Sequence, residues 1–198
     1  MMEARESNRT QRLLIGSMFY QAVWFASVLS AGDPSRWWWG VGSTVAFLVY
    51  VLLAWPLLRQ RVLTLTIAAI LCGLVVDSLM IAARVWTTPR MWLPPPLPPL
   101  WLVMLWAAFG IYIALSMEVL YGRYGLAAVA GALGGMLAYR GGALAGAIHW
   151  GQPVWLGTLV LMAVWALAFP VLIRVATVVQ ERENGLRKAA SRMHVALM

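Results

Sequence analysis

The chain has 198 residues, of which 62% are hydrophobic and only 11% are charged. Soluble domains average about 45–50% apolar and about 25% charged residues, so this composition excludes an ordinary soluble domain and indicates a membrane protein. The net charge of +8 comes from basic residues that flank apolar segments, which argues against nucleic acid as a partner. The single cysteine, Cys72, excludes an intrachain disulfide and Cys-based metal sites, and the sequence predicts no metal and no cofactor.

Six apolar segments divide the chain, each near the roughly 20 residues that a helix needs to cross a bilayer. They cover about residues 13–31, 37–58, 62–83, 100–120, 124–148 and 154–175, and a polar tail follows at 176–198. The pattern predicts an all-α fold, a polytopic transmembrane bundle of about six spans that forms one membrane domain over residues 1–198. With six spans both ends share a side, and eleven of the fifteen basic residues lie on that side. The positive-inside rule therefore predicts that both termini are cytoplasmic.

The first span carries polar and aromatic residues on one face, namely Tyr20, Gln21 and Trp24 between two serines. A glutamine near the middle of a membrane is expected to form a hydrogen bond with another helix. A proline-rich loop, LPPPLPPLW at 93–101, separates the third and fourth spans. It is either a stiff spacer or a lid over an outward-facing cavity.

The third span holds an acidic group, Asp77, on a face with small and polar residues that include Gly73. An ionisable group in hydrocarbon costs about 2.5–3.5 kcal/mol on insertion scales, so it calls for a partner. Gly73 is expected to let another helix approach one turn from Asp77. The fourth span places Phe109 and Tyr112 together, with Trp106 one turn away, which is more typical of packing than of a ligand site.

Glu118 lies near the cytoplasmic end of the fourth span. It is expected to reach interfacial water or Arg123.

The fifth span has a stripe of small residues on one face, and it contains a basic residue, Arg140. The stripe consists of Gly131, Gly135, Gly142 and Gly146, whose spacing permits close helix packing. Arg140, which follows Tyr139, projects nearly opposite that stripe, among leucines. Either this helix is sandwiched on both faces, or Gly141–Gly142 breaks it and redirects the chain into a site.

Asp77 and Arg140 are predicted to lie at similar depth, each about 22 Å from the cytoplasmic start of its span at 1.5 Å per residue. Their opposite charges suggest a pair in the outer half of the membrane. Either the two residues form a salt bridge that locks the fold, or Arg140 extends outwards to the membrane surface, or the pair is part of a substrate or proton site. An unpaired Asp would take up a proton instead. The candidate binding residues are Asp77, Arg140, Tyr20, Gln21, Trp24, Trp106, Tyr112 and Tyr139.

Four stretches of the chain resemble one bacterial family. They are YQAVWFASVLSAG at 20–32, GLVVDSLM at 73–80, PPLWLVMLWAAFG at 98–110 and GGMLAYRGGALAGAIHW at 134–150. In this order they resemble the DUF2878 family of uncharacterised bacterial integral membrane proteins over nearly the whole chain. The resemblance implies a protein of the bacterial inner membrane without an established activity, and it transfers no catalytic residue.

Three functions fit the sequence. The first is a non-enzymatic membrane protein that binds or moves a lipid or another amphipathic molecule through the outer-half polar site. The second is a membrane enzyme acting on a lipid-phase substrate, which the absence of a catalytic motif disfavours. The third is a partner subunit of a membrane complex, or a homo-oligomer, docked through the glycine stripe. Membrane lipids are the expected partners.

Overall fold

The computed structural model describes residues 2–31, 33–89 and 94–196. Gly32 of the first motif, Arg90 of the charge count and Leu93 of the proline-rich loop lie outside the described residues. Six α-helices make up the fold: α1 Met2–Ser30, α2 Trp38–Ala54, α3 Arg59–Ala82, α4 Leu100–Ser116, α5 Tyr124–Leu144 and α6 Val154–Ala196. Short 3₁₀ turns at Pro34–Arg36, Pro56–Leu58 and Glu118–Leu120 connect neighbouring helices. The predicted all-α helical bundle is confirmed.

Apolar helices dominate the bundle and indicate a membrane protein. Three helical stretches are long and apolar enough to cross a membrane: Arg9–Ser30, Pro56–Ala82 and Val154–Met193. The helices α2 and α4 are apolar but shorter. Large apolar side chains also cover the outside of the bundle, for example Leu144 and Leu57, which are 91% and 81% exposed. Such a surface suits a lipid environment, because water would not solvate it.

The helix α4 lies at the centre of the bundle. It is apolar on all sides, and most of its residues are buried, which is expected of a helix with no polar face. It packs on α1, α2 and α3, whereas α5 packs mainly on α6, and α6 joins that pair to α3. Gly110 of α4 allows α3 to approach closely, because a Cβ there would lie 2.4 Å from the carbonyl oxygen of Leu65 in α3.

A short antiparallel pair of strands, β1 Trp86–Thr87 and β2 His149–Trp150, closes one end of the bundle. The helices α3 and α5 both end here, and each ends in the same way. After α5, Gly146 adopts φ +75°, and the amide of Ala147 donates to the carbonyl of Gly142, which is a Schellman motif. After α3, Arg84 takes the same place with φ +55°, a conformation that a side chain disfavours.

Two sequence expectations about helix ends change in the structure. The helix α5 runs without interruption through Gly141 and Gly142, so a broken fifth helix is wrong and the alternative of a continuous glycine-rich helix is confirmed. The helix α6 extends beyond the predicted end of the sixth span at 175, because it continues through the polar tail to Ala196. At 1.5 Å per residue this helix is about 65 Å long, and its residues 184–193 are exposed.

Candidate functional site

A cavity of about 420 Å³ lies between α1, α4, α5 and α6. This volume falls in the range of about 300–1,000 Å³ that is typical of small-molecule sites. Most of its wall is aromatic or small and apolar, and the residues that line it are Tyr20, Gln21, Trp24, Phe25, Phe109, Tyr112, Met117, Leu120, Ala130, Gly131, Gly134, Gly135, Leu137, Ala138, Trp165 and Phe169.

The cavity opens sideways, onto the apolar outer surface of the bundle. Phe25 of α1 and Leu137 of α5 line it and are 58% and 65% exposed. The exposed Gly134 and Gln21 also border it. The helices α1 and α5 flank this mouth without forming a packed pair. A molecule in the surrounding apolar phase therefore has a direct lateral route into the cavity.

Aromatic rings in contact with one another form the inner wall of the cavity. The rings of Tyr20 and Tyr112 are stacked with centroids 4.8 Å apart, and the hydroxyl of Ser17 lies 3.4 Å from that of Tyr112. Phe109 meets Trp165 edge to face at 5.6 Å and lies 5.5 Å from Phe169. These contacts fix the ring positions, so the wall is pre-formed.

Asp77 lies behind this wall and is completely buried. Its two carboxyl oxygens accept hydrogen bonds from two different helices. The indole nitrogen of Trp106 donates at 2.6 Å, and the hydroxyl of Tyr139 donates to the other oxygen. The buried carboxyl group is thus satisfied by neutral donors from α4 and α5.

Two indole rings connect Asp77 to the cavity and occupy the space that two glycines leave. Trp106 stacks on Trp165 at 4.8 Å. A Cβ on Gly73 would lie 2.2 Å from Trp106, and a Cβ on Gly135 would lie 2.4 Å from Trp165. These two glycines therefore accommodate a pair of stacked rings. A small recess shares four lining residues with the main cavity, and it is also lined by Trp106 and Tyr139, the two donors to Asp77.

The structure does not form the expected pair of Asp77 and Arg140. Arg140 is exposed on the outside of α5, and no ion pair joins the two residues, both of which the structure describes. Tyr139 bonds to Asp77 instead. Adjacent residues of a helix point about 100° apart. Because Tyr139 faces the bundle, the next residue, Arg140, faces outwards.

The glycine stripe of α5 divides into two parts. Gly131 lies against α6, where a Cβ would be 2.5 Å from the carbonyl oxygen of Trp165, and Gly135 lies against the ring of the same residue. Gly142 contacts no neighbouring helix at close range, and Gly146 closes the helix with its positive φ. The expectation of one continuous packing stripe is therefore wrong for the second pair.

A second polar centre, the ionic cluster of Arg12, Arg61, Glu118 and Glu183, lies at the opposite end of the bundle. Arg61 is 4% exposed and donates to Glu118 at 2.7 Å and to Glu183 at 2.6 Å. Arg12 approaches Glu118 at 3.5 Å. The cluster joins α1, α3, α6 and the turn after α4. Glu118 pairs with two arginines of the described chain and not with Arg123, so that expectation is wrong, while its side chain is still 21% exposed.

Tyr121 lies beside the ionic cluster, in the turn between α4 and α5. Burial raises the pKa of Tyr121 well above its usual range. Its hydroxyl therefore stays protonated and donates to the carbonyl of Ile113 at 3.1 Å. This bond ties the turn back to the end of α4.

Four of the candidate binding residues line the cavity, namely Tyr20, Gln21, Trp24 and Tyr112, while Trp106 and Tyr139 line its recess. The aromatic residues of α6, Trp165 and Phe169, were not among the candidates. Their i,i+4 spacing places them on one face, which is the signal that could have identified them. The described part of the proline-rich loop does not line the cavity.

A comparison with models of known protein families gives a match. The family model described as "Protein of unknown function (DUF2878)" matches residues 13–171. No curated protein and no solved structure matches the chain.

Proposed function

The chain belongs to the DUF2878 family, and we propose that it is a multi-pass membrane protein that binds a lipid or another amphipathic small molecule in its aromatic cavity. The observation that carries this proposal is the mouth of the cavity. It opens between α1 and α5 onto an apolar surface, at Phe25 and Leu137.

The wall chemistry supports a ligand that comes from the lipid phase. Transfer of a ligand from lipid to an apolar pocket gains little hydrophobic free energy, because both environments are apolar. Binding must then come from close packing and from a few polar contacts. The fixed rings supply the packing surface, and Gln21 with the hydroxyls of Tyr20 and Tyr112 supplies the polar contacts. An amphipathic molecule uses both.

The arrangement of the helices supports six membrane crossings. The ionic cluster joins the starts of α1 and α3 to the end of α4, whereas the strand pair joins the ends of α3 and α5. The helices thus alternate in direction. Combined with the excess of basic residues on one side, this favours both termini in the cytoplasm. The inner membrane of a bacterium is the location that the family resemblance implies.

Two glycines of α5 allow a matched test. Gly134 lines the cavity and Gly125 does not, yet a Cβ at either position would meet nothing within 4 Å. Gly134→Phe should fill the mouth without disturbing the fold, and Gly125→Phe serves as its control. Both variants replace a helical glycine by a better helix former, so neither should lose stability.

The measurement is mass spectrometry of molecules that co-purify with each protein in a mild maltoside detergent. The wild type and Gly125→Phe should carry an amphipathic molecule near one equivalent, and Gly134→Phe should lose it. Equal content in all three proteins would contradict the proposal. Loss of a larger complex in Gly134→Phe alone would show that the mouth is a contact for another chain.

A further inference from the structure

We infer that the molecule bound in the aromatic cavity is an amphipathic organic cation, of the alkylammonium class. This inference rests on the proposed function and goes beyond it by giving the charge of the ligand. Seven aromatic side chains line the cavity: Tyr20, Trp24, Phe25, Phe109, Tyr112, Trp165 and Phe169. The face of an aromatic ring carries negative potential and attracts a cation within about 6 Å of its centre.

The charges around the cavity point the same way. No lysine, arginine or histidine is among the described residues that line it. The exposed Arg140 lies on the outer surface of α5 and does not line the cavity. An anionic headgroup in this space would lose its hydration without gaining a cationic partner, which is costly. A cation is compensated by the aromatic rings and by the amide oxygen of Gln21.

An acidic group lies behind the aromatic wall. Trp165 lines the cavity and stacks on Trp106, and Trp106 donates its indole hydrogen to Asp77. The carboxyl oxygens accept this hydrogen bond, so the acceptor end of the chain of groups lies behind the wall. Polar chains of this kind strengthen one another where water is excluded. An acceptor group, and not a basic side chain, therefore lies behind Trp106 and Trp165.

Three probes with one chain length test the inference: dodecyltrimethylammonium, dodecanol and dodecyl sulfate, which carry positive, zero and negative charge. Each is equilibrated at sub-denaturing concentration with the full chain in neutral maltoside micelles, and bound probe is measured by equilibrium dialysis. Parallel dialysis of Gly134→Phe gives the binding that does not depend on the cavity. The ammonium probe should bind at least about tenfold more tightly than dodecanol, and the sulfate should bind most weakly.

A pair of substitutions at one position separates the electrostatic attraction of the ring from its contribution to packing. Tyr112→Leu removes a ring face and should weaken the ammonium probe about tenfold, with a much smaller effect on dodecanol. Tyr112→Phe keeps the ring and should bind the ammonium probe nearly as the wild type does. Thermal unfolding of both variants shows that the fold is retained.

The possible results distinguish the two proposals. Equal affinity for the ammonium probe and dodecanol, or tightest binding of the sulfate, would overturn the cationic ligand and leave an amphiphile-binding cavity. Equal losses for ammonium and dodecanol in Tyr112→Leu would also overturn it, because the ring would then act by packing alone. If no probe shows binding that depends on the cavity, both proposals fail.

Discussion

Replacing Asp77 by leucine removes the acceptor of two buried donors at once. In Asp77→Leu, the indole nitrogen of Trp106 and the hydroxyl of Tyr139 both lose their partner. A buried polar group without a partner costs about 1–3 kcal/mol, so the substitution should cost about 2–6 kcal/mol. Tyr139→Phe alone should cost about 1–3 kcal/mol, because one carboxyl oxygen then lacks a donor.

The double variant gives the sharper prediction. When Asp77→Leu is combined with Tyr139→Phe, only the indole nitrogen of Trp106 remains without a partner. The double variant should therefore be about 1–3 kcal/mol more stable than Asp77→Leu alone. Independent sites would give the opposite order, with the second substitution adding to the first.

Thermal unfolding can be followed with a dye that reacts with thiols, because Cys72 is the single cysteine and is only partly exposed. For a chain of this size 1 kcal/mol shifts the Tm by about 2–4 °C, so the double variant should melt about 2–12 °C above Asp77→Leu. Leu79→Ala, on the exposed side of the same helix, is the control and should change little. A double variant that melts below Asp77→Leu would refute the shared hydrogen bonds.

Three further predictions concern the framework around the site, all read out as the free energy of unfolding. Arg61→Met should cost about 3–5 kcal/mol, because the carboxylates of Glu118 and Glu183 in the ionic cluster both lose this cationic partner. Arg36→Met, in an exposed ion pair, should cost at most about 1 kcal/mol. Arg84→Gly should stabilise by about 1 kcal/mol and Gly146→Ala should destabilise by a similar amount, since both positions have positive φ; unchanged values at both would show that the turns carry no strain. Gly73→Ala should cost more than 1 kcal/mol, because its Cβ would overlap an indole ring, and a neutral effect would show that the ring can move.

The sequence was sufficient to predict the helices and several cavity residues. Helical periodicity placed Tyr20 and Trp24 on one face of α1, and both line the cavity. Periodicity did not show that α6 completes the cavity wall. The aromatic residues of that helix have apolar neighbours in the sequence, and no polar residue distinguishes the inward face from the outward face. Trp165 and Phe169 become cavity residues only through the packing of the neighbouring helices.

Local properties therefore determined the class of this protein: its composition and the lengths of its apolar segments indicate a helical membrane protein, whatever the packing. The partners of the charged residues depended on the tertiary structure. Asp77 meets Tyr139 from 62 positions away, and Arg61 meets Glu183 from 122 positions away. A rotation of α5 by one residue, about 100°, would exchange Tyr139 for Arg140 beside Asp77. That rotation is set by how Gly131 and Gly135 pack on α6, and the residues around Asp77 do not encode it.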